Sequence, residues 1–375
     1  MEKTINECFF QIQNGANIKQ GDVEGGFPIT RIETTANDKF NRDRMGYAGI
    51  TDISKYEAYV LEDGDLLMSH INSVQYLGRT VLYVKQPDEI IIHGMNLLRL
   101  KARRNIINPA YARYCFYGHT FRCQIGNITK KSVNQASFAV KDLKQIKIEV
   151  PSLDVQNKVV VILDRVQKII DMRNNELASL DDLIKARFVE MFGSIHESTK
   201  YPYIAVKDLT DITSGGTPSR DKTEYWDNGT IPWVKTTELQ NNVLIDVDEH
   251  ITEAGLAGSS AKLVPVGTIL VAMYGQGKTR GMTAYLGVEA STNQACACIL
   301  PSDKVDSMFM WKYFELSYDK LRSLAQGAGQ PNLNGNMIKN FQVLVPPIEL
   351  QKEYVDFVHQ INKSKVVDID KKDKL

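Results

Sequence analysis

The 375-residue sequence predicts an α+β protein: two tandem α/β lobes joined by long helices that form an antiparallel coiled coil about a pseudo-twofold axis. Three observations predict it. The chain is written twice, with a period of about 200 residues. Within each copy, short β-branched runs alternate with Gly, Pro and Asn punctuation. Each copy then closes with a proline-marked extended segment followed by an apolar stripe of helical period.

The repeat is legible in four places. "GFPITRIETT" matches "TIPWVKTTEL", setting Pro28 against Pro232 and Arg31 against Lys235. "EDGDLLMSHINSVQYLGRTVLYV" matches "PVGTILVAMYGQGKTRGMTAYLG", with Gly64 opposite Gly267. Tyr111, Tyr114, Phe121 and Arg122 fall opposite Trp311, Phe314, Leu321 and Arg322. "NQASFAVKDLKQIKIEVPSLDVQNKV" runs alongside "GQPNLNGNMIKNFQVLVPPIELQKEY", pairing Gln135, Pro151 and Gln156 with Gln330, Pro346 and Gln351. The offset drifts only from 204 to 195, which a few loop insertions or deletions absorb.

In chain order, residues 1–152 form the first lobe, with "TVLYV" and "IKIEV" as strands. Residues 153–193 form the central helix. Its stripe is Val159, Ile162, Val166, Ile170, Leu177, Leu180, Ile184, Phe188 and Met191; Arg173 interrupts it and Gly193 ends it. From Val155 to Phe192 such a helix is about 57 Å long at about 1.5 Å per residue, and its stripe needs a partner. Residues 199–346 form the second lobe, with "TILVA" as a strand. Residues 347–375 form a shorter C-terminal helix that offers Leu350, Tyr354, Phe357, Val358 and Ile361 to the first. It runs out in "INKSKVVDIDKKDKL", about two turns or more before its counterpart, so a pair of unequal length is expected. The competing arrangement packs each helix on its own lobe.

Composition narrows the function. With 43% hydrophobic and 24% charged residues the chain is globular. It has no apolar run near 18 residues, and "MEKTINECFF" has no basic region followed by an apolar core, so a cytoplasmic location is expected. The five cysteines, Cys8, Cys115, Cys123, Cys296 and Cys298, give no disulfide framework, and "NQACACIL" reads as two buried thiols rather than half a metal site. Charge is balanced at 45 basic and 45 acidic residues, yet residues 99–147 carry eleven Lys and Arg against one acid, Asp142, which reads as a basic surface.

Two motifs tempt and fail. "VAMYGQGKTRG" imitates a phosphate-binding loop, but Ala272 stands where the first glycine belongs, and a returning strand follows instead of a helix. "NPAY", Asn108 to Tyr111, imitates the Asn-Pro-Pro-aromatic loop of adenine methyltransferases; its third position is Ala, and it reads as the start of a lobe helix. The six histidines, His70, His93, His119, His196, His250 and His359, form no metal spacing and read as surface or hydrogen-bonded residues. A duplicated chain without a duplicated catalytic set is not an enzyme by this reading.

"ITSGGTPSRDKTEYWDNGTIPWVKTTEL", followed by "GQPNLNGNMIKNFQVLVPPIELQ" running into a helix, resembles the specificity subunit of type I restriction-modification systems. The resemblance covers nearly the whole chain twice, with the first half a divergent version. It implies two target-recognition domains, each reading one half of a split double-stranded DNA target, held apart by two conserved helices. It also implies partners: two methyltransferase subunits that use S-adenosylmethionine to methylate adenine, and restriction subunits that use ATP and Mg2+. No cofactor or metal is expected on this chain itself. Because the two recognition domains differ strongly in sequence, the resemblance implies an asymmetric target.

On that reading the loop at residues 213–239 is shaped for a groove: Gly215 and Gly216 allow tight geometry, Pro218 and Pro232 stiffen it, and Arg220, Lys222, Lys235 and Thr236 face DNA. The adjoining hairpin tip offers Tyr274, Gln276, Lys278 and Arg280, and Gln330 and Asn332 follow; Gln suits an adenine edge, Lys and Arg a guanine edge or phosphate. The first copy offers Lys19 and Arg31, the tip residues His70, Asn72, Gln75 and Arg79, and then Lys130, Lys131, Asn134 and Gln135. At every one of these positions a structural role competes with a base contact, and Tyr225 and Trp226 read as loop anchors. Two rival functions remain open: a coiled-coil scaffold joining protein partners without DNA readout, and a nuclease or methyltransferase.

Overall fold

The computed structural model describes residues 1–21, 26–132, 135–275, 277–325 and 331–370, the last five through their backbone. The chain divides into two compact units, Met1–Met172 and Arg173–Leu375.

The first unit is built on a four-stranded antiparallel sheet in the order Phe9–Asn14, Leu97–Ala102, Leu66–Ser69, Thr80–Leu82. Its apolar runs are buried on both faces, and the two-residue period divides them between two cores. Leu66, Met68, Leu98 and Leu100 face the helices Pro109–Tyr117 and His119–Ile128, whereas Leu67, Val81 and Leu97 join Leu61, Tyr83 and Ile91. The expected "NPAY" helix start is observed: the Asn108 side chain accepts from Ala110 N at 2.8 Å, and Pro109 occupies the first turn, where no amide donor is needed. A small sheet, Glu2–Thr4 with Lys147–Glu149, closes the lobe.

The second unit repeats this plan on a larger sheet, ordered Ile212–Ser214, Cys296–Ile299, Ile269–Ala272, Thr283–Leu286, Asn242–Leu244, the last pair parallel. Cys296 and Cys298 are buried thiols on the second of these strands, where burial pushes Cys298 up to about 11. The helix Ser307–Leu316 is capped by Asp306, which accepts from Phe309 N at 2.9 Å. Tyr203–Ala205 with Gln342–Leu344 matches the small closing sheet of the first unit.

One buried glutamine per unit ties helix to lobe. Gln156 Oε1 accepts from Asn108 N at 2.8 Å, and its Nε2 donates to Ile106 O at 2.9 Å and Pro151 O at 2.8 Å. Gln351 Oε1 accepts from Asp306 N at 2.8 Å, and its Nε2 donates to Pro346 O at 2.7 Å.

The central helix spans Leu153–Phe192 and stops at Gly193, whose φ of +85° suits glycine. The C-terminal helix spans Ile348–Asp370. Within the second unit the two pack antiparallel: Arg187 pairs with Glu353 at 2.8 Å, Tyr354 Oη donates to Ile184 O at 3.3 Å, and Lys365 pairs with Asp181. Ile184, Phe188 and Phe192 are buried against Tyr354, Val355 and Val358, with Leu350 and Ile361 packed on the edge of this core. Phe357 lies under the Arg187 guanidinium at 5.7 Å. Leu177 and Leu180 are half-buried.

The expected stripe fails in the N-terminal half of the central helix. Val160, outside the expected stripe, is buried in the lobe core with Val159 packed beside it, while Ile162, Val166 and Ile170 stay exposed. The face that Gln156 and Val160 turn to their own lobe is rotated away from the stripe, so both arrangements weighed from the sequence occur on one helix.

The basic run at residues 99–147 is also not a uniform surface. Arg99 is fully buried and donates to Val60 O and Ala58 O at 3.0 and 2.7 Å. Lys101 pairs with Glu62, Arg104 donates to Asp63 O, and Arg113 lies over Tyr114 and Tyr117. Sequence counting cannot see most of these partners, because Ala58, Val60, Glu62 and Asp63 lie outside the counted window. His70 and His93 are buried, so neither is a surface residue, and His70 is hydrogen-bonded, with its Nε2 3.1 Å from Asn14 Nδ2. Among the described residues no helix is long and apolar enough to cross a membrane.

Candidate nucleic-acid interface

The imitation phosphate loop is a hairpin. Ile269–Ala272 and Thr283–Leu286 pair antiparallel, as do Leu66–Ser69 and Thr80–Leu82 in the first unit. The hairpins superpose in register: Gly78 N donates to Ser69 O at 2.8 Å, and Gly281 N to Ala272 O at 2.9 Å, so the intervening loops have equal length. Gln75 therefore stands where the second unit has Lys278, Ile71 where it has Tyr274, Leu77 where it has Arg280, and Arg79 where it has Met282.

A returning segment supports each tip. In the first unit Phe138 N donates to His70 O at 3.3 Å, and Ala136–Ser137 pairs with Ile71–Asn72 on one side and Lys130–Lys131 on the other. The fold thus brings exposed Gln75, Lys130, Lys131 and Gln135 and half-buried Asn72 onto one edge of the lobe. In the second unit Leu333 N donates to Met273 O at 3.0 Å, placing Asn332 beside the tip that carries exposed Tyr274 and Lys278. Asn134, Gln276 and Gln330 lie outside the described residues.

Several expected contacts are already engaged. His70 is buried edge-on against Phe138, with its Nε2 3.1 Å from Asn14 Nδ2; the exposed Asn14 takes its place at the surface. Burial lowers the His70 pKa. Arg79 pairs with Asp38 at 2.8 Å and lies over Tyr76. Arg280 is half-buried and donates to Pro331 O.

The loop at residues 213–239 is built, not loose. A side chain at Gly215 would place Cβ 1.9 Å from Thr292 O, so only glycine fits. Trp233 Nε1 donates to Gly216 O at 3.0 Å, Trp226 packs T-shaped on Trp233, and Arg220 stacks 3.6 Å over Trp226. Glu249 then takes Arg220 at 2.5 Å and Lys235 at 2.9 Å, which holds its carboxyl below the usual range and raises Lys235. Lys222 rests on Tyr225, its Nζ 2.9 Å from the hydroxyl. Thr236 opens the half-buried turn Thr236–Glu238. In the first unit Lys19 is exposed, and Arg31 donates to Gln20 Oε1. The repeat predicted from Arg31 and Lys235 holds in detail: Arg31 N donates to Thr34 Oγ1 at 2.9 Å, and Lys235 N to Glu238 Oε2 at 2.7 Å. Sequence reasoning missed Asn14 and Glu249. Their importance rests on pairings distant in sequence.

Lobes that keep one hairpin framework and change the chemistry at its tip define a two-part recognition protein. Residues 2–182 and 198–374 both match the family described as Type I restriction modification DNA specificity domain, and the chain belongs to it. It is 26% identical over 403 residues to a chain of Methanocaldococcus jannaschii named as the MjaX type I restriction enzyme specificity subunit, covering 99% of this chain and 88% of that one. It is 24% identical over 232 residues to the Escherichia coli EcoR124I/EcoR124II specificity subunit, covering 60% of this chain and 57% of that one. In fold it is similar to the crystal structure of the type I S subunit from M. genitalium, with a TM-score of 0.55 and 13% identity over 97% of this chain and 90% of that one. A chain from a study of complex assembly and conformational transition of a type I R-M system gives 0.52 and 15%, over 98% and 91%.

Proposed function

We propose that each lobe reads one half of an asymmetric, bipartite double-stranded DNA target, and that helix length sets the unread spacer between the halves. The observation that carries this reading is the pair of hairpins with one framework and different tips: Asn72 and Gln75 in the first, Tyr274 and Lys278 in the second. Conserved geometry with exchanged hydrogen-bonding groups is what reading two different sequences requires. The chain itself is non-catalytic and scaffolds two methyltransferase subunits, with restriction subunits joining them in the cytoplasm. S-adenosylmethionine belongs to the methyltransferase partners, ATP and Mg2+ to the restriction partners. The balanced charge of 45 against 45 supports this division, since DNA affinity then depends on positive charge from the assembly.

Mapping methylated adenines in a host carrying the chain and its methyltransferase partner tests the proposal: one bipartite, asymmetric motif is expected. Four residues inserted between Leu177 and Ile184 add about 6 Å of helix, against about 3.4 Å per base pair, and lengthen the spacer by about two steps. An unchanged motif in that variant refutes the ruler, and a host without a bipartite motif favours the scaffold without DNA readout.

A further inference from the structure

The hairpin tips are gripped from behind by side chains that the DNA-reading proposal does not use. In the first lobe Arg122, on the helix His119–Ile128, donates through Nη1 to Leu77 O at 2.6 Å and through Nη2 to Gln75 O at 3.3 Å. In the second lobe Arg322, on the helix Tyr318–Ser323, donates through Nη1 to Arg280 O at 2.8 Å. Tyr318, one turn earlier, donates from its hydroxyl to Lys278 O at 2.7 Å and accepts from Arg322 Nη1 at 3.0 Å. Register makes these the same two carbonyls. Leu77 and Arg280 each precede the matching glycine of the hairpin, and Gln75 and Lys278 lie two residues earlier. One guanidinium fork holds both in the first lobe; an Arg-Tyr pair shares them in the second.

The glycines show that the grip is close. Gly78 and Gly281 have φ of +71° and +85°, and a Cβ there would lie 3.3 Å from Arg122 Nη1 and 3.2 Å from Arg322 Cγ respectively. The clamped residues Gln75 and Lys278 have side chains exposed at the tip. Fixing their carbonyls from the lobe side fixes where those side chains point, and a loop held before binding loses less entropy on the DNA. A fork with two parallel donors sets position and orientation together, which an ammonium with one effective bond does not.

Resting on the DNA-reading function proposed above, we infer that Arg122 in one lobe, and Arg322 with Tyr318 in the other, are positioning residues that hold the reading hairpins in register. Each then governs discrimination at one half-target only. The experiment maps adenine methylation genome-wide in hosts carrying the full chain and its methyltransferase partner, with Arg122→Ala, Arg122→Lys, Arg322→Ala, Arg322→Lys and Tyr318→Phe compared. Arg122→Ala is expected to raise methylation at sites with one mismatch in one half-target by about ten-fold, the scale of one good base contact, and to leave the other half intact. Arg322→Ala is expected to do the reverse. The lysine variants, which keep one donor and the folded lobe, recover part of the discrimination. Tyr318→Phe relaxes the same half as Arg322→Ala. The thermal midpoint of the purified chain falls by at most about 4 °C in each.

If both half-targets stay strict in the alanine variants while Gln75→Ala and Lys278→Ala alter them, the positioning role is wrong and DNA reading stands. If the tip variants also change nothing, DNA reading by the hairpins falls. Loss of both half-targets together with a collapsed melting transition, in the lysine variants as well, reduces the arginines to general structural residues and overturns the inference.

Discussion

Where the first lobe buries Asp65, His93 and Arg99, the second buries Thr268, Thr292 and Cys298. The positions are equivalent by hydrogen-bond register. Ala16 N donates to His93 O and Gly216 N to Thr292 O; Arg99 lies opposite Leu67 in its sheet, and Cys298 opposite Leu270. The charged set is held by carbonyls: Arg99 donates to Val60 O and Ala58 O, with Asp65 3.8 Å away. His93 is fully buried; burial, with Arg99 nearby, holds its imidazole down to about 3. The neutral set is satisfied by short contacts: Thr268 Oγ1 donates to Pro265 O at 2.7 Å, and Thr292 Oγ1 lies 3.3 Å from Cys298 Sγ. The repeat keeps its backbone pairings while the polar filling changes as a group. Burying one partner of a charged set alone leaves an uncompensated charge, so intermediates between the two fillings are costly.

The two halves of the central helix give the sharpest test of this contrast. Phe188→Ala should cost the second lobe about 3–5 kcal/mol, because it opens a cavity among Phe192, Phe309, Tyr313 and Tyr354, whereas exposed Ile162→Ala should stay within about 0.5 kcal/mol. Urea unfolding followed by tryptophan fluorescence reads the second lobe for Phe188→Ala, since Trp226, Trp233 and Trp311 all lie there, and circular dichroism, which reports both lobes, reads Ile162→Ala. Equal losses would break the distinction between the two faces.

The buried glutamines should behave alike. Gln351→Ala and Gln156→Ala each strand buried backbone groups at a helix-to-lobe joint and should cost about 2–3 kcal/mol in urea unfolding. A large cost at one joint and none at the other would show that the duplicated geometry is not a duplicated anchor.

Acid should separate the lobes. With the folded His93 near 3 and an ordinary value of 6.5, the unfolded chain takes up a proton first as pH falls. That contribution therefore weakens the first lobe progressively between about pH 6.5 and 3, by about 2 kcal/mol at pH 5. His93→Thr, borrowing the second lobe's residue, should remove this slope in urea unfolding followed by circular dichroism at pH 7 and 5. An undiminished slope would assign the acid sensitivity elsewhere.

A smaller effect is expected at a single side chain of the hairpin tip. Lys278→Ala should weaken DNA binding by the assembled complex by about 1 kcal/mol and flatten its salt dependence by about one counterion. Salt titration of binding checks it, and an unchanged slope would place Lys278 away from phosphate.

Much of this was legible beforehand because it is local or periodic. The duplication, the hairpin in place of a phosphate loop, the "NPAY" helix start and the extent of the central helix follow from turn residues, capping and the 3.6-residue period. The candidate site was legible as a region and less so by residue: Gln75 and Lys278 are exposed as expected, whereas His70 is buried and Arg220 and Lys235 are engaged by Glu249. Composition showed eleven cations in the basic run but could not show that Arg99 and Arg122 spend their donors on carbonyls distant in sequence.

The sequence alone determined that there are two lobes and that a long helix follows the first, since repeats and amphipathic periods are properties of the chain. Tertiary structure alone decided which face of that helix is covered, which cations are free, and what grips the hairpin tips. Those outcomes depend on which donor meets which acceptor after folding, and a buried hydrogen bond between residues scores apart leaves no periodic trace in either segment.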